Sequence, residues 1–267
     1  MNLRIAFLPL CLLAALPATA VTRGFDVRDM VALERVSSPV LSPDGSVVVF
    51  AKRQMDREVT KASTGLWMRN LLTRDMALPK PLTPDGWNVN SPAFSPDGKT
   101  VYFLSGKSGT QQLYSMPASG GIPKQLTAFA LDIGSYKLSP DGKQLAFSAD
   151  TFADCKADLA CTQKRLDENK AKKTTGVIYD QLFVRHWDTW VDGRRSRLFV
   201  ADLPTGKAKP VASVVSLTDA LEGDVPSKPF GDASEYTWAP DGKSLVASLR
   251  VAGKSEAWST NFDLYRL

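Results

Sequence analysis

The side chains most capable of chemistry stand together at Arg185, His186, Trp187, Asp188 and Trp190. A guanidinium, an imidazole and a carboxylate beside two indoles offer charge, proton exchange and flat apolar contact within one short segment. Arg185, His186, Trp187 and Trp190 are therefore candidate ligand-contact residues, presented on a rim that faces a cavity. The alternative is structural, with the tryptophans plugging an interface between sheets and Arg185 pairing with Asp188 at its edge. His186 is the one histidine in the chain, and no nucleophile or orienting acid is identifiable around it for general-base work. No Gly-x-Ser-x-Gly elbow occurs anywhere in the 267 residues, so no catalytic residue is assigned.

Cys155 and Cys161 lie six residues apart in a polar stretch. They are a candidate local disulfide if the chain is exported; free thiols and metal binding are the competing readings. A four-ligand zinc site lacks both a second histidine and a CxxC pair. No metal and no cofactor is expected. The aspartates Asp44, Asp97, Asp141 and Asp241 each sit alone in a separate turn, unlike the clustered oxygens that calcium requires.

Export is read from the first twenty residues. Arg4 gives a positive start, Ile5 to Leu16 an apolar run, and Ala18-Thr19-Ala20 a small-residue cleavage site. Cleavage near Ala20 would release the protein to the periplasm or the medium. The apolar run is too short to span a bilayer, and no later stretch is longer. A net charge of +5 is modest and dispersed, whereas nucleic-acid binding calls for a concentrated basic face. Neither nucleic acid nor a membrane span is expected.

The positioning elements are legible as a repeat. Pro-Asp-Gly occurs at Pro43, Pro84, Pro96, Pro140 and Pro240. Four copies share flanks: Leu41, Phe94, Leu138 or Trp238 stands two before the proline. After the glycine come Val48 and Phe50, Val101 and Phe103, Leu145 and Phe147, or Leu245 and Ala247. The copy at Pro84 lacks this frame and reads as a loop. Proline presets φ for a turn and glycine accepts φ > 0, so each framed copy predicts a hairpin whose following strand points alternate apolar residues to one face. Leu66-Trp67, Leu113-Tyr114, Leu198-Phe199 and Leu264-Tyr265 mark a third strand. Pro81-Leu82-Thr83 and Gln125-Leu126-Thr127 mark a fourth, with Pro210-Val211-Ala212 as a weaker third copy.

Four strands per unit, at spacings of roughly 45 to 55 residues, predict an all-β fold of β-propeller blades rather than a plain antiparallel sandwich. The divisions are a signal peptide at 1–20, a lead-in at 21–40 and a partial propeller at 41–267. About three and a half blades are present. The third carries an insertion at about 150–191 whose first half, Asp154 to Lys173, is charged and helix-tolerant; a later excess falls at about Ser213 to Asp232. An unclosed ring implies a longer natural polypeptide. The rival is a four-bladed ring closed by the N-terminal segment.

The Ser-Pro-Asp-Gly units resemble the repeats shared by TolB-like periplasmic propellers and the prolyl oligopeptidase family of serine peptidases. Tyr179 to Trp190, Leu198 to Leu203, Gly231 to Trp238 and Glu256 to Tyr265 resemble the exported bacterial dipeptidyl-peptidase and acylaminoacyl-peptidase-like branch. That resemblance implies a propeller capping a C-terminal α/β-hydrolase domain, which is absent from this chain, with short peptides as substrates. The propeller would gate access to it. In some members paired glutamates on the propeller hold the substrate's amino terminus, and no Glu-Glu pair matches here. The alternative is a stand-alone TolB-like propeller that binds a protein partner.

The two-cysteine reading predicts that intact protein resists a thiol alkylating agent at Cys155 and Cys161 until reduced. Mass spectrometry before and after reductant checks this, and ready alkylation of both would overturn it.

Overall fold

The structure is a computed structural model that describes residues 23–56, 61–73, 78–180 and 182–267. The signal segment 1–20, with its cleavage site near Ala20, lies outside the described residues, as does Gln181. Helix α1 (Val27–Ala32) opens the described chain, capped reciprocally by Asp26 and Asp29.

Blade one is β1 (Arg35–Leu41), β2 (Val47–Asp56), β3 (Lys61–Asn70) and β4 (Lys80–Pro81), hydrogen-bonded in that order. It begins at Arg35, inside the segment read from sequence as lead-in. Blade two is β5 (Val89–Phe94), β6 (Thr100–Ser105), β7 (Gln112–Pro117) and β8 (Lys124–Gln125). Blade three starts with β9 (Ser135–Leu138) and β10 (Gln144–Phe152), then departs into helix α2 (Leu159–Ala171) and a small hairpin, β11 (Arg185–His186) with β12 (Thr189–Trp190). It resumes with β13 (Arg194–Asp202) and β14 (Val215–Ser216). Pairing of β10 with β13 runs from Gln144–Asp202 to Phe152–Arg194, so the insertion occupies 153–193. The last sheet is β15 (Tyr236–Trp238), β16 (Leu245–Leu249) and β17 (Asp263–Arg266).

Strand alternation gives each blade two buried faces. Val101, Phe103 and Tyr114 pack back onto Val49, Ala51 and Leu66 of blade one. Leu145, Phe147 and Phe199 pack back onto Leu104 and Leu113 of blade two. Tyr236, Leu245 and Ala247 pack back onto Ala146 and Leu198 of blade three. In each Leu-aromatic pair the aromatic therefore faces the preceding blade and the leucine the following one. Val48 and Phe50, on blade one's other face, are only half-buried, and Leu264 is 78% exposed. No sheet among the described residues covers those faces.

The turns explain the Ser-Pro-Asp-Gly spelling. In blade one the Ser42 hydroxyl donates to Asp44 at 2.6 Å and accepts from Val47 N–H at 2.9 Å, while Asp44 accepts from Ser46 N–H at 3.0 Å. Gly45 closes the turn at φ 69°, which a side chain would resist. Ser95 and Ser139 repeat the arrangement. Hydrogen bonds from Ser42 and Ser46 hold Asp44 well below the usual carboxylate range, at about 2.

The outer strands correct one expectation. The third copy of the fourth-strand marker is Ser216-Leu217-Thr218, not Pro210-Val211-Ala212. Thr83, Thr127 and Thr218 hydroxyls accept from the N–H groups of Leu66, Leu113 and Leu198 at 2.9, 2.9 and 3.1 Å. Val211 instead forms an isolated parallel bridge with Thr127 of blade two. The leucine-threonine pair carries the signal because its hydroxyl satisfies a buried N–H that the short outer strand leaves open.

In the fourth turn Ala239 replaces the serine, leaving only the backbone bonds and Asp241's contact with Lys243 N–H. Ala239→Ser restores the hydroxyl bridge and should stabilise the protein by about 1 kcal/mol. Chemical denaturation checks this; an unchanged or lowered midpoint contradicts it.

Candidate functional site

One end of the blades carries the β6–β7 and β10–β13 connections, and there the ends of blades two and three and the connection leading to the last sheet surround a cavity of about 570 Å³. That size is typical of small-ligand sites. Its floor is polar: Ser135 at the start of β9, Ser148 of β10 and Ser196 of β13 line it. The Ser135 hydroxyl lies 2.8 Å from that of Ser148 and 3.0 Å from that of Tyr236. Burial pushes the Tyr236 phenol above its ordinary value, so this group offers hydrogen bonds and no base.

The insertion supplies one wall through Gln163 and Leu166 of α2. The helix is fixed at its foot. Cys155 and Cys161 are joined at 2.02 Å, Asp158 caps the first turn by accepting from Cys161 N–H, and Arg165 pairs with Asp154 while lying over the Phe152 ring. Leu159 and Leu166 then reach the core between blades two and three.

The opposite wall is the connection from blade three to the last sheet, including Pro226, Ser227, Lys228 and Gly231. Glu235 closes it, accepting from Ser227 N–H at 2.6 Å and from the Ser227 hydroxyl at 2.7 Å. Lys228 crosses to Asp150 at 3.0 Å. Below it, Arg195 joins Asp224 at 2.9 Å and Glu256 at 3.0 Å, and Arg250 meets Glu256 at 3.4 Å. Burial raises Asp224 above the usual carboxylate range, despite the Ser196 N–H and Arg195 that favour its charge. Burial also works against the charge on Arg195, but Glu256 and Asp224 outweigh it.

The structure divides the residues chosen from sequence. Arg185 faces Trp190 in the hairpin register, its guanidinium 5.5 Å from the indole, and Tyr179 stacks on that indole at 5.9 Å. His186 and Trp187 turn instead to Phe230, at centroid distances of 5.3 and 5.4 Å, and lie 5.1 Å from each other. Neither tryptophan plugs a blade interface: Trp187 is 74% and Trp190 58% exposed. Arg185 does not pair with Asp188; it donates to the Trp187 carbonyl at 2.9 Å. Among the described residues, the hairpin's rings find their partners within the insertion and on the neighbouring connection.

Phe230, Lys228 and Arg194 escaped selection from the sequence. The signal available was the excess length before the last sheet, together with Pro226, Pro229 and Gly231 in it. Among the described residues, no cluster of three or more His, Cys, Asp or Glu side chains is placed to hold a metal ion. No described helix is long and apolar enough to cross a membrane.

Comparison with known proteins adds a family model, two curated relatives and a solved structure. The family model for the TolB beta propeller domain matches residues 33–181. The chain is 33% identical over 238 residues to dipeptidyl-peptidase 5 of Porphyromonas gingivalis, covering 87% of this chain and 32% of that protein. The corresponding figures for dipeptidyl-peptidase 5 of Porphyromonas endodontalis are 30%, 88% and 32%. The chain thus spans about a third of the length of the curated relatives it matches. An acylaminoacyl peptidase structure from Pyrococcus horikoshii superposes with a TM-score of 0.60 at 14% identity, over 91% of this chain and 32% of that one, which establishes likeness of fold.

A Cβ on Gly231 would lie 2.4 Å from both Ser227 N and O, closer than any real contact. Gly231→Ala should therefore displace the 226–232 wall at a cost of about 2 kcal/mol or more. Denaturation reads the loss; an unchanged midpoint would show that the wall relaxes freely.

Proposed function

The chain belongs to the TolB beta propeller domain family, and on that footing we infer that it is the propeller portion of an exported serine peptidase that cleaves short peptides. The observation carrying this reading is the 33% identity to dipeptidyl-peptidase 5, sustained over 87% of the chain. The propeller contributes selection rather than bond-breaking groups. It presents a cavity of about 570 Å³ between the α2 wall and the 226–232 wall, a volume that suits part of a short extended peptide. Folded proteins are excluded by size, and water is displaced as a peptide enters. Acyl-enzyme chemistry belongs to a C-terminal hydrolase domain of the whole polypeptide, which the propeller gates.

His186 and Trp187, whose rings meet Phe230 of the connection that carries the cavity-lining Pro229 and Gly231, are the substrate-contacting half of the hairpin. Arg185 and Trp190 make their contacts on its other side and support it. The signal reading at 1–20 supports export.

The test uses the polypeptide encoded by the whole reading frame. It should react with a serine-directed fluorophosphonate and release dipeptides from short peptides while leaving folded proteins intact. Replacing hairpin residues 184–191 with a Gly-Ser linker should lower kcat/KM for peptides about tenfold, with hydrolysis of a small ester unchanged. No labelling and no cleavage, the behaviour of a binding propeller without catalysis, would overturn the peptidase reading.

A further inference from the structure

Helix α2 ends at Ala171, and from there to the β11–β12 hairpin the described chain forms neither helix nor strand. Every residue of 167–178 is exposed, Val177 at 67% and Ile178 at 97%. Over 173–180 the backbone makes no hydrogen bond among the described residues. A helix or a paired strand must open before an endopeptidase can draw it into its cleft as an extended chain. A stretch whose N–H and C=O groups are already free needs no such opening.

The side chains select one class of enzyme. Lys172 and Lys173 open the stretch, followed by Thr174, Thr175 and Gly176, with no proline to block the cleft. Lys172 is held to the end of the helix, its Nζ donating to the Asn169 side chain at 2.7 Å and its N–H to the Asn169 carbonyl at 3.2 Å. Lys173 has no carboxylate partner among the described residues, so its ammonium is free to enter the acidic specificity pocket of a trypsin-like enzyme. Other lysines between strands are less open to attack. Lys209 and Lys228 each precede a proline, and Lys207 lies in a turn closed by Ala208 N–H on the Thr205 carbonyl at 3.1 Å.

A cut at this point spares the fold. Everything that anchors α2 precedes it: the Cys155–Cys161 disulfide, the Arg165–Asp154 pair and the packing of Leu159 and Leu166. The hairpin keeps its contacts with Phe230. Strands β10 and β13 lie on opposite sides of the cut and stay paired from Gln144–Asp202 to Phe152–Arg194. What is lost is the covalent tether between the α2 wall of the cavity and the hairpin.

We propose that the Lys173–Thr174 bond is a processing site for a trypsin-like endopeptidase. Water adds across the amide as its C–N bond breaks, leaving a carboxylate on Lys173 and an amine on Thr174. The propeller then persists as two pieces joined through blade three. This holds whether or not the whole polypeptide is itself a peptidase, because here the chain is the substrate.

The test is brief digestion of the whole polypeptide with trypsin, read by intact mass and by sequencing of new amino termini. Thr174 should be the first new amino terminus within residues 27–267, and the two pieces should co-elute on size exclusion until denaturant is added. Replacing both lysines, Lys172→Gln with Lys173→Gln, should slow this cut about tenfold or more while leaving the denaturation midpoint unchanged. An earlier cut elsewhere in 27–267, pieces that part without denaturant, or a double variant cut here as fast as the parent overturns the proposal.

Discussion

Each four-stranded blade has two apolar faces and can bury neither by itself. That constraint governs the rest of the molecule. Leu113 and Tyr114 are adjacent in sequence and both nearly fully buried, yet they lie in different cores, one against blade three and the other against blade one. Leu198 and Phe199 are divided in the same way between the last sheet and blade two. The repeat therefore encodes a direction as well as a fold. A blade removed from this stack would expose a row of leucines on one neighbour and a row of aromatics on the other, which explains why burial is complete in the interior and falls away at Val48 and Leu264.

Packing alone does not hold the inner strands in register, and the hydrogen bonds between them supply what it lacks. The Tyr136 hydroxyl donates to the Ser91 carbonyl at 2.8 Å, reaching from blade three to the bulge in β5. Trp238 donates from the last sheet to the Lys137 carbonyl at 3.2 Å. Burial drives the Tyr136 phenol far above its ordinary value, so it remains a donor at any pH the protein meets. These bonds tie the inner strands of neighbouring sheets to one another, next to Ser135 of β9, which lines the cavity.

On that base the insertion has a root packed against the core and a hairpin that meets the connection before the last sheet. The disulfide, the Arg165–Asp154 pair and Leu159 anchor α2 against the core. The β11–β12 hairpin beyond it touches the rest of the protein through aromatic contacts with Phe230.

The sequence by itself determined the repeat, the turn chemistry and the third-blade insertion, because each is a local pattern: Ser-x-Asp-Gly builds its own turn, and alternation sets its own face; for Cys155 and Cys161 it left the disulfide, thiol and metal readings open. It misplaced the third outer strand, since Pro210-Val211-Ala212 and Ser216-Leu217-Thr218 are both short and β-prone. The choice between them depends on which threonine reaches the N–H of Leu198, a contact across the blade. It also gathered Arg185, His186, Trp187 and Trp190 into one site. Only the tertiary structure decided that they separate into two pairs and that Phe230 joins one of them, because the facing of the hairpin is set by what the neighbouring connection brings beside it.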